Sequence, residues 1–209
     1  MKKIIVFASG GGSNFEALAK AAQSKVFDGK IVLLVASKLG IGAVDKAIRF
    51  NIPVYVEGSF PTATNVVLDE NESLGEIANK ESMDKEELVS QIQFYEPDLI
   101  CLAGYLKKVP QEILDICPVI NIHPALLPKF GGKGMYGHNV HAAVLKSGAK
   151  ESGATVHFVD CEYDSGEIIM RQSVPVLPND TPETLSARVL EVEHKIYPLC
   201  VKKVLEGKK

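Results

Sequence analysis

The sequence predicts an α/β protein built on a mostly parallel sheet, with a late antiparallel pair of strands and a long C-terminal helix. Its first half alternates apolar segments rich in β-branched residues with amphipathic segments, as in the strand-like run 4–8 and the helix-like run 14–24. Strands that are apolar on both faces are typical of parallel sheets covered by helices on each side. Farther along, the runs 155–159 and 168–174 flank a turn, which favours antiparallel pairing.

Each element has its own local signal. Short apolar runs bounded by glycine or proline predict strands, and apolar residues at helical spacing predict helices. The remaining strands are expected at residues 31–36, 53–56, 98–103 and 119–122, and the remaining helices at 42–50, 86–95, 110–116 and 140–147. Thr181 followed by Pro182 predicts the start of the last helix, 181–205, which Pro198 is expected to kink or split.

The composition excludes several classes of protein. The chain has 209 residues, of which 46% are hydrophobic and 23% charged, with a formal net charge of -3, so intrinsic disorder is excluded. No apolar run approaches the ~18 residues of a membrane-spanning helix, and the slight acidity disfavours a general nucleic-acid binder. Four cysteines at spacings that match no zinc or redox pair indicate free, buried thiols and a cytoplasmic protein.

A glycine-rich turn follows the first strand and leads into the first helix. Small residues here, including Gly10 and Gly12, expose backbone N–H groups at the positive end of a helix, which predicts a phosphate monoester site. It is not a dinucleotide-binding turn, because Phe15 occupies the third glycine position, and it lacks the lysine of a P-loop. The structural alternative is a tight turn that uses glycine for its geometry alone.

Asn121 and His123 end a strand at the same predicted edge of the sheet. Alternation along the strand puts both side chains on one face, where an amide donor and an imidazole could stabilise a developing oxyanion. A buried pair that satisfies its own hydrogen bonds is the structural alternative. Asp164, in the late turn, would raise the pKa of His123 if it lay beside it, although ordinary turn chemistry also explains an aspartate there.

Two further groups carry weaker signals. His138 and His141 share a helical face, but no third ligand stands nearby in the sequence, so we expect no metal site. Glu193 lies on an acidic face of the long helix. That face is expected to be solvated, and the alternative is that one of its members turns into the site.

Five segments taken together resemble the folate-dependent phosphoribosylglycinamide formyltransferases of purine biosynthesis. They are FASGGGSNFEAL (7–18), DLICLAGYLKKVP (98–110), INIHPALLPKFGGKGMYGHNVH (120–141), GATVHFVDCEYDSGEII (153–169) and ARVLEVEHKIYPL (187–199). The pattern Asn121-x-His123-Pro-x-Leu-Leu-Pro with a downstream Asp164-x-Gly is specific for folate formyltransferases, and the glycine turn with Glu193-His-x-Ile-Tyr-Pro narrows it to this family.

The resemblance implies a fold and a domain organisation. The fold would be the Rossmann-like formyltransferase fold, with residues 1–209 as a single domain. Within it, residues 1–100 would form the phosphate-binding half and residues 101–209 the catalytic and folate-binding half.

The resemblance also implies roles for individual residues. The phosphate of the acceptor would be held by Gly12, Ser13 and Asn14, and its ribose hydroxyls by Glu193. The catalytic trio would be Asn121, His123 and Asp164. The folate pocket would be lined by Leu106, Lys107, Lys108, Val109, Asn121 and Asp160. Lys80 is the candidate for a folate-contacting arginine that the family usually carries after the third strand, although a lysine lacks the bidentate fork.

The implied reaction transfers the formyl group of 10-formyltetrahydrofolate, the co-substrate, to the amine of phosphoribosylglycinamide. Asn121 and a protonated His123 would stabilise the tetrahedral oxyanion, and Asp164 would raise the pKa of His123. Because the formyl donor is already activated, neither a metal nor ATP is expected. The partners would be small molecules, without nucleic acid or membrane, and the protein would be a monomer or homodimer.

Three other functions compete with this one. Methionyl-tRNA formyltransferase shares the core motif but normally adds a C-terminal RNA-binding domain, for which a chain that ends at Lys209 is expected to have no room. Formyltetrahydrofolate hydrolase normally has an N-terminal regulatory domain, whereas the first strand here begins at Ile4. A non-catalytic phosphate- or nucleotide-sensing module on the same fold would bind ligands without needing His123. The intact trio favours the enzyme.

Overall fold

The computed structural model describes residues 1–57 and 85–207. The strands are β1 (Lys2–Ala8), β2 (Gly29–Ala36), β3 (Val54–Val56), β4 (Leu99–Leu102), β5 (Val119–His123), β6 (Glu151–Phe158) and β7 (Ile168–Pro175). The helices are α1 (Ser13–Gln23), α2 (Gly42–Arg49), α3 (Lys85–Tyr95), α4 (Gln111–Leu114), α5 (His138–Lys146) and α6 (Pro182–Leu205). All the strands belong to one seven-stranded sheet in the order β3-β2-β1-β4-β5-β6-β7.

The sheet is parallel from β3 to β5 and antiparallel at β6 and β7. The mostly parallel sheet with a late antiparallel pair is thus confirmed. β4 lies between β1 and β5, and Leu102 stands opposite both Phe7 and Asn121. Because the carboxyl ends of parallel strands meet at one edge, the glycine turn after β1 and the polar end of β5 lie along the same edge.

Helices cover both faces of the sheet, as the apolar strands predict. One face packs against α1, α2 and α6, with Phe15 and Tyr197 among its fully buried side chains. The other face packs against α3 and α4 through residues such as Ile92 and Ile113. Every residue of β4, at the centre of the sheet, is buried. Hydrophobic burial on two faces therefore fixes the sheet edge that carries the candidate site.

α6 runs unbroken from Pro182 to Leu205, so of the two effects expected at Pro198, a kink or a split, the split does not occur. Thr181 caps the helix, because its side chain accepts a hydrogen bond from the N–H of Thr184. Pro198 removes one helical hydrogen bond, but it is buried, and the hydroxyl of its neighbour Tyr197 donates to the carbonyl oxygen of Leu102 at 2.8 Å. Tertiary packing therefore holds the helix together through the proline.

The remaining structural expectations concern the thiols and membrane spans. All four cysteines are free, but only Cys101 and Cys200 are buried, and Cys161 is exposed. None of the helices within the described residues combines the length and the apolar character that crossing a membrane takes.

Candidate active site

Gly12 shapes the glycine turn between β1 and α1. It is the N-cap of α1 with φ 72°, and no side chain caps the helix. The amide hydrogens of the first helical turn therefore have no helix carbonyl to bond. A Cβ at Gly12 would lie 2.6 Å from Cα of Ala43, so glycine is also needed where α1 approaches α2. The turn thus meets the needs of close packing and of an anion site at once, and a substitution at Gly12 would disturb both.

Glu193 reaches this turn from α6. Its Oε2 accepts a hydrogen bond of 2.5 Å from Nδ2 of Asn14, and both side chains are buried. Burial raises the pKa of Glu193, and the Asn14 hydrogen bond offsets this only in part. Oδ1 of Asn14 is also buried and has no partner in the described part of the chain. Glu193 is therefore the member of the acidic helix face that turns inward.

Asn121 contacts a histidine on the neighbouring strand. β6 pairs with β5 and puts His157 opposite Asn121, with Nδ2 of Asn121 3.2 Å from Nε2 of His157. Nδ1 of His157 lies 2.7 Å from the carbonyl oxygen of Phe158, which can only accept, so Nδ1 carries the proton. Nε2 then accepts from the amide. This hydrogen bond fixes the Asn121 amide near the end of β5.

His123 and Asp164 meet beside this pair. Nε2 of His123 donates to the carbonyl oxygen of Phe130 at 2.8 Å, which leaves Nδ1 facing Oδ2 of Asp164 at 3.5 Å. The other carboxylate oxygen lies 3.5 Å from Nε2 of His157. The structure therefore brings Asn121, His123 and Asp164 together, with the carboxylate between two imidazoles.

The pKa of His123 lies below its usual value. Burial is the largest effect and lowers this pKa, whereas the Asp164 charge and the Phe130 carbonyl raise it by less. The effect of Asp164 has the predicted sign, but burial outweighs it, and the sequence does not show how completely the imidazole is buried. His123 is therefore neutral at pH 7 in the free protein.

The pKa of Asp164 is also below its usual value. Burial alone would raise it, but the His157 imidazole, the charge of His123 and the N–H of Gly132 together lower it. The Gly132 N–H donates to Oδ2 at 2.8 Å. Asp164 has φ 55°, in the left-handed region where aspartate and asparagine are enriched among residues other than glycine. The residue is thus a carboxylate at neutral pH on a backbone that few residues adopt.

The loop between β4 and α4, residues 103–110, lies between the glycine turn and β5 along the sheet edge. Ser9 ties it down, because its N–H donates to the carbonyl oxygen of Gly104 at 3.2 Å and its Oγ accepts from the N–H of Leu106 at 3.1 Å. The side chain of Leu106 is exposed, and Lys107 forms an ion pair with Glu57. The backbone of this loop is thus fastened to β1 on the side facing the glycine turn.

The other predicted folate-pocket residues differ in their settings. Lys108 is exposed and Val109 is buried. Asp160 accepts a hydrogen bond of 2.7 Å from Oγ of Ser165, which is the main reason that its pKa is lowered. Lys80 lies outside the described residues. An open cavity of about 400 Å³ lies between the segments 127–132 and 163–168, and Asp164 is one of its lining residues.

The two histidines at the start of α5 differ in exposure. His138 is exposed and its Nε2 lies 3.2 Å from a carboxylate oxygen of Glu183, whereas His141 is buried. Within residues 1–57 and 85–207, no group of three or more histidine, cysteine, aspartate or glutamate side chains is placed to hold a metal ion.

Comparison with known proteins decides the family. The model of the formyl transferase family matches residues 2–201. The chain belongs to the formyl transferase family.

Its relatives share a name. The chain is 46% identical to the chloroplastic phosphoribosylglycinamide formyltransferase of Arabidopsis thaliana, over 94% of this chain and 63% of that relative. It is 35% identical to the phosphoribosylglycinamide formyltransferase of Bacillus subtilis, over 98% of this chain and 95% of the relative. The chain spans about three fifths of the length of two chloroplastic relatives, 63% and 61%.

Solved structures with related sequences have the same fold as this chain. The crystal structure of glycinamide ribonucleotide transformylase 1 from Symbiobacterium toebii superposes with a TM-score of 0.80 at 31% identity, over 99% of this chain and 89% of that one. The crystal structure of phosphoribosylglycinamide formyltransferase from Brucella melitensis superposes with a TM-score of 0.77 at 35% identity, over 97% of this chain and 95% of that one. The Rossmann-like formyltransferase fold is therefore confirmed.

The sequence analysis missed two polar side chains of this family member, both on β6. His157 completes the cluster described above. Thr155, opposite His123, accepts from the N–H of Leu127 at 3.1 Å and donates to the carbonyl oxygen of Ala125 at 2.6 Å, which holds the loop after β5. The available signal was the spacing in ATVHF, where two polar residues share one face of an otherwise apolar strand.

We expect the His123 imidazole of this family member to titrate below 6.5 in the free protein. Because the Asp164 carboxylate raises this pKa, the substitution Asp164→Asn should lower it further. The measurement is an NMR titration of the imidazole nitrogens, with the His123→Ala spectrum to assign the resonance. A midpoint above 6.5, or a midpoint that rises in Asp164→Asn, would contradict the burial argument.

Proposed function

We propose that the chain transfers the formyl group of 10-formyltetrahydrofolate to the amine of phosphoribosylglycinamide, giving the N-formyl product and tetrahydrofolate in purine (IMP) biosynthesis. One observation carries the proposal. The cluster of Asn121, His123 and Asp164 and the Asn14–Glu193 pair belong to the same sheet edge. The names of the relatives support the same reaction, including the Bacillus subtilis enzyme that the chain covers to 95%.

The glycine turn and Glu193 would bind the acceptor. The free amide hydrogens at Ser13 and Asn14 suit a phosphate at the positive end of α1. The Glu193 carboxylate is an acceptor for the two ribose hydroxyls, and the unpartnered Oδ1 of Asn14 is a further polar atom beside it. Binding at this remote end would hold the glycinamide amine in place for reaction. The pair joins the two proposed halves, 1–100 and 101–209.

The loop after β4 would bind the formyl donor. It supplies Leu106, Lys107, Lys108 and Val109, and it leaves the sheet beside Asn121. Its fixed backbone, held by Ser9, suits recognition of a pterin ring through main-chain N–H and C=O groups. Asp160 and the cavity beside Asp164 would bound the other side, and Lys80 remains the predicted partner for the folate from outside the described residues.

The chemistry would proceed through a tetrahedral intermediate. The amine attacks the formyl carbon, so a C–N bond forms while the carbonyl oxygen becomes an oxyanion near the Asn121 amide. The amine then loses a proton to the His123–Asp164 pair, since His123 is neutral beforehand and Asp164 stabilises the imidazolium. That proton returns to the folate nitrogen as its bond to the formyl carbon breaks. The activated donor needs neither a metal nor ATP.

The cellular location, the partners and the oligomeric state of the chain stay predictions. We propose a cytoplasmic location, with small-molecule partners and a monomeric or homodimeric state. The relatives include chloroplastic forms, so a measurement in the source cell is needed to place this chain.

The deciding experiment is a formyl-transfer assay with 10-formyltetrahydrofolate and three acceptors: phosphoribosylglycinamide, initiator methionyl-tRNA and water. We expect transfer to phosphoribosylglycinamide alone, reduced about 100-fold or more by His123→Ala. The control is His138→Ala, an exposed histidine outside the cluster, which should keep full activity.

Each other outcome has a definite meaning. Transfer to methionyl-tRNA or to water would favour the corresponding formyl transferase or hydrolase. Binding of both ligands without transfer to any acceptor, unchanged by His123→Ala, would favour a sensing module.

A further inference from the structure

Glu57 is a carboxylate that is nearly buried where β3 ends. Its side chain is only 11% exposed, and its backbone N–H donates to the carbonyl oxygen of Ala36 at 2.9 Å. One carboxylate oxygen accepts a hydrogen bond from the hydroxyl of Tyr105, and the other accepts from Nζ of Lys107. Both donors belong to the loop after β4. A single side chain thus joins the ends of two strands that are not neighbours in the sheet.

This contact is specific and rigid. A carboxylate taken out of water is destabilising unless it is paired and hydrogen-bonded, so Glu57 stays in place only while both donors hold it. The ring of Tyr105 packs edge-on against Phe7 of β1, with 5.1 Å between the ring centres and 87° between the planes. Burial and the neighbouring Glu57 raise the pKa of Tyr105, so its hydroxyl stays a hydrogen-bond donor at every physiological pH.

The loop is consequently fastened from two sides. Ser9 holds Gly104 and Leu106 from the glycine turn, and Glu57 holds the intervening Tyr105 together with Lys107. The segment 104–107 therefore has a defined shape between the acceptor side of the site and Asn121. A loop with its backbone exposed and its ends tied is suited to presenting main-chain groups to a ligand.

We propose that Glu57 is a positioning residue for the formyl donor. It does not touch the reacting atoms; it holds the backbone of residues 105–107 in the shape that the folate needs. This inference rests on the proposed function, because it takes the loop after β4 as the folate-binding loop.

A carboxylate of similar build lies at the opposite edge of the sheet and provides a matched control. Asp98, just before β4, accepts from Nζ of Lys2 at 2.7 Å and from the N–H of Lys3 at 2.8 Å. Like Glu57, Asp98 lies at the end of a strand and accepts hydrogen bonds from a lysine ammonium group and from a second donor. It lies at the amino ends of β1 and β4, away from the candidate site, so its loss reports structural effects alone.

The experiment compares Glu57→Gln with Asp98→Asn in steady-state formyl transfer. For Glu57→Gln we expect the KM for 10-formyltetrahydrofolate to rise about tenfold, with kcat changed less than about twofold and the KM for phosphoribosylglycinamide unchanged. Asp98→Asn should lower Tm without moving any of these constants. If Glu57 had a purely structural role, Glu57→Gln would lower Tm without changing the KM for the formyl donor.

Lys107→Met completes the test. Glu57 acts in part through Lys107. The substitution Glu57→Gln should therefore raise the KM for the formyl donor less in a Lys107→Met background than in the unmodified protein. An unchanged KM in Glu57→Gln, an equal rise in Asp98→Asn, or additive effects in the double variant would overturn the inference. Lack of transfer by the unmodified protein would instead overturn the proposed function, so the two failures are distinguishable.

Discussion

Replacing Asp164 with asparagine will lower kcat about 100-fold or more, with the KM for each substrate changed much less. The carboxylate lies 3.5 Å from Nδ1 of His123 and 3.5 Å from Nε2 of His157, where its charge stabilises an imidazolium formed when the amine gives up its proton. Asparagine leaves that cation without its counter-ion. The measurement is steady-state kinetics of both substrates at pH 7.5.

Asparagine is the substitution that isolates this charge. It can accept the hydrogen bond that Gly132 donates to Oδ2, and it tolerates φ 55° better than alanine does, so the loop should keep its shape. The control is Asp180→Asn, which disturbs the bidentate Arg188 pair before α6 and should lower Tm with kcat retained. If kcat of Asp164→Asn stays within about threefold of the unmodified protein, Asp164 has no part in proton transfer.

Glu193→Gln will make the protein more stable at neutral pH and a poorer enzyme. Burial raises the pKa of Glu193 above its ordinary value of 4.5, so the folded state binds its proton more tightly than the unfolded state does. The resulting stabilisation is fully present below pH 4.5 and is lost as the pH rises through the folded pKa. Above the folded pKa the protein therefore bears a buried charge that glutamine lacks, while glutamine still accepts from Asn14.

Two measurements check this trade-off. We expect Tm at pH 8 to rise by about 3 °C in Glu193→Gln, with a smaller difference near pH 4.5. The KM for phosphoribosylglycinamide should rise about tenfold or more, because hydrogen bonds to a charged acceptor become bonds to a neutral one. Glu191→Gln is the matched control, an exposed glutamate on the same helix. A lower Tm at pH 8 with an unchanged KM for the acceptor would contradict both arguments.

Local patterns in the sequence predict the class of fold and the placement of several candidate site residues. Apolar strands alternating with amphipathic helices predict the parallel sheet, because periodicity reports directly which faces are buried. Residues close together in the chain were also predictable. Asn121 and His123 share a face two residues apart on β5, and the glycine turn lies where a strand leads into a helix. Both predictions depend only on residues that are neighbours in the chain.

Which distant residues meet, and how deeply each of them is buried, depends on the tertiary structure. Asn14 and Glu193 are 179 positions apart in the chain yet share a hydrogen bond, and Glu57 meets the loop after β4 across intervening strands. Burial also outweighs the predicted effect of Asp164 on the pKa of His123, and α6 continues past Pro198 in the packed fold. Each of these depends on the solvent exposure and long-range contacts that folding creates, which no local pattern of residues encodes.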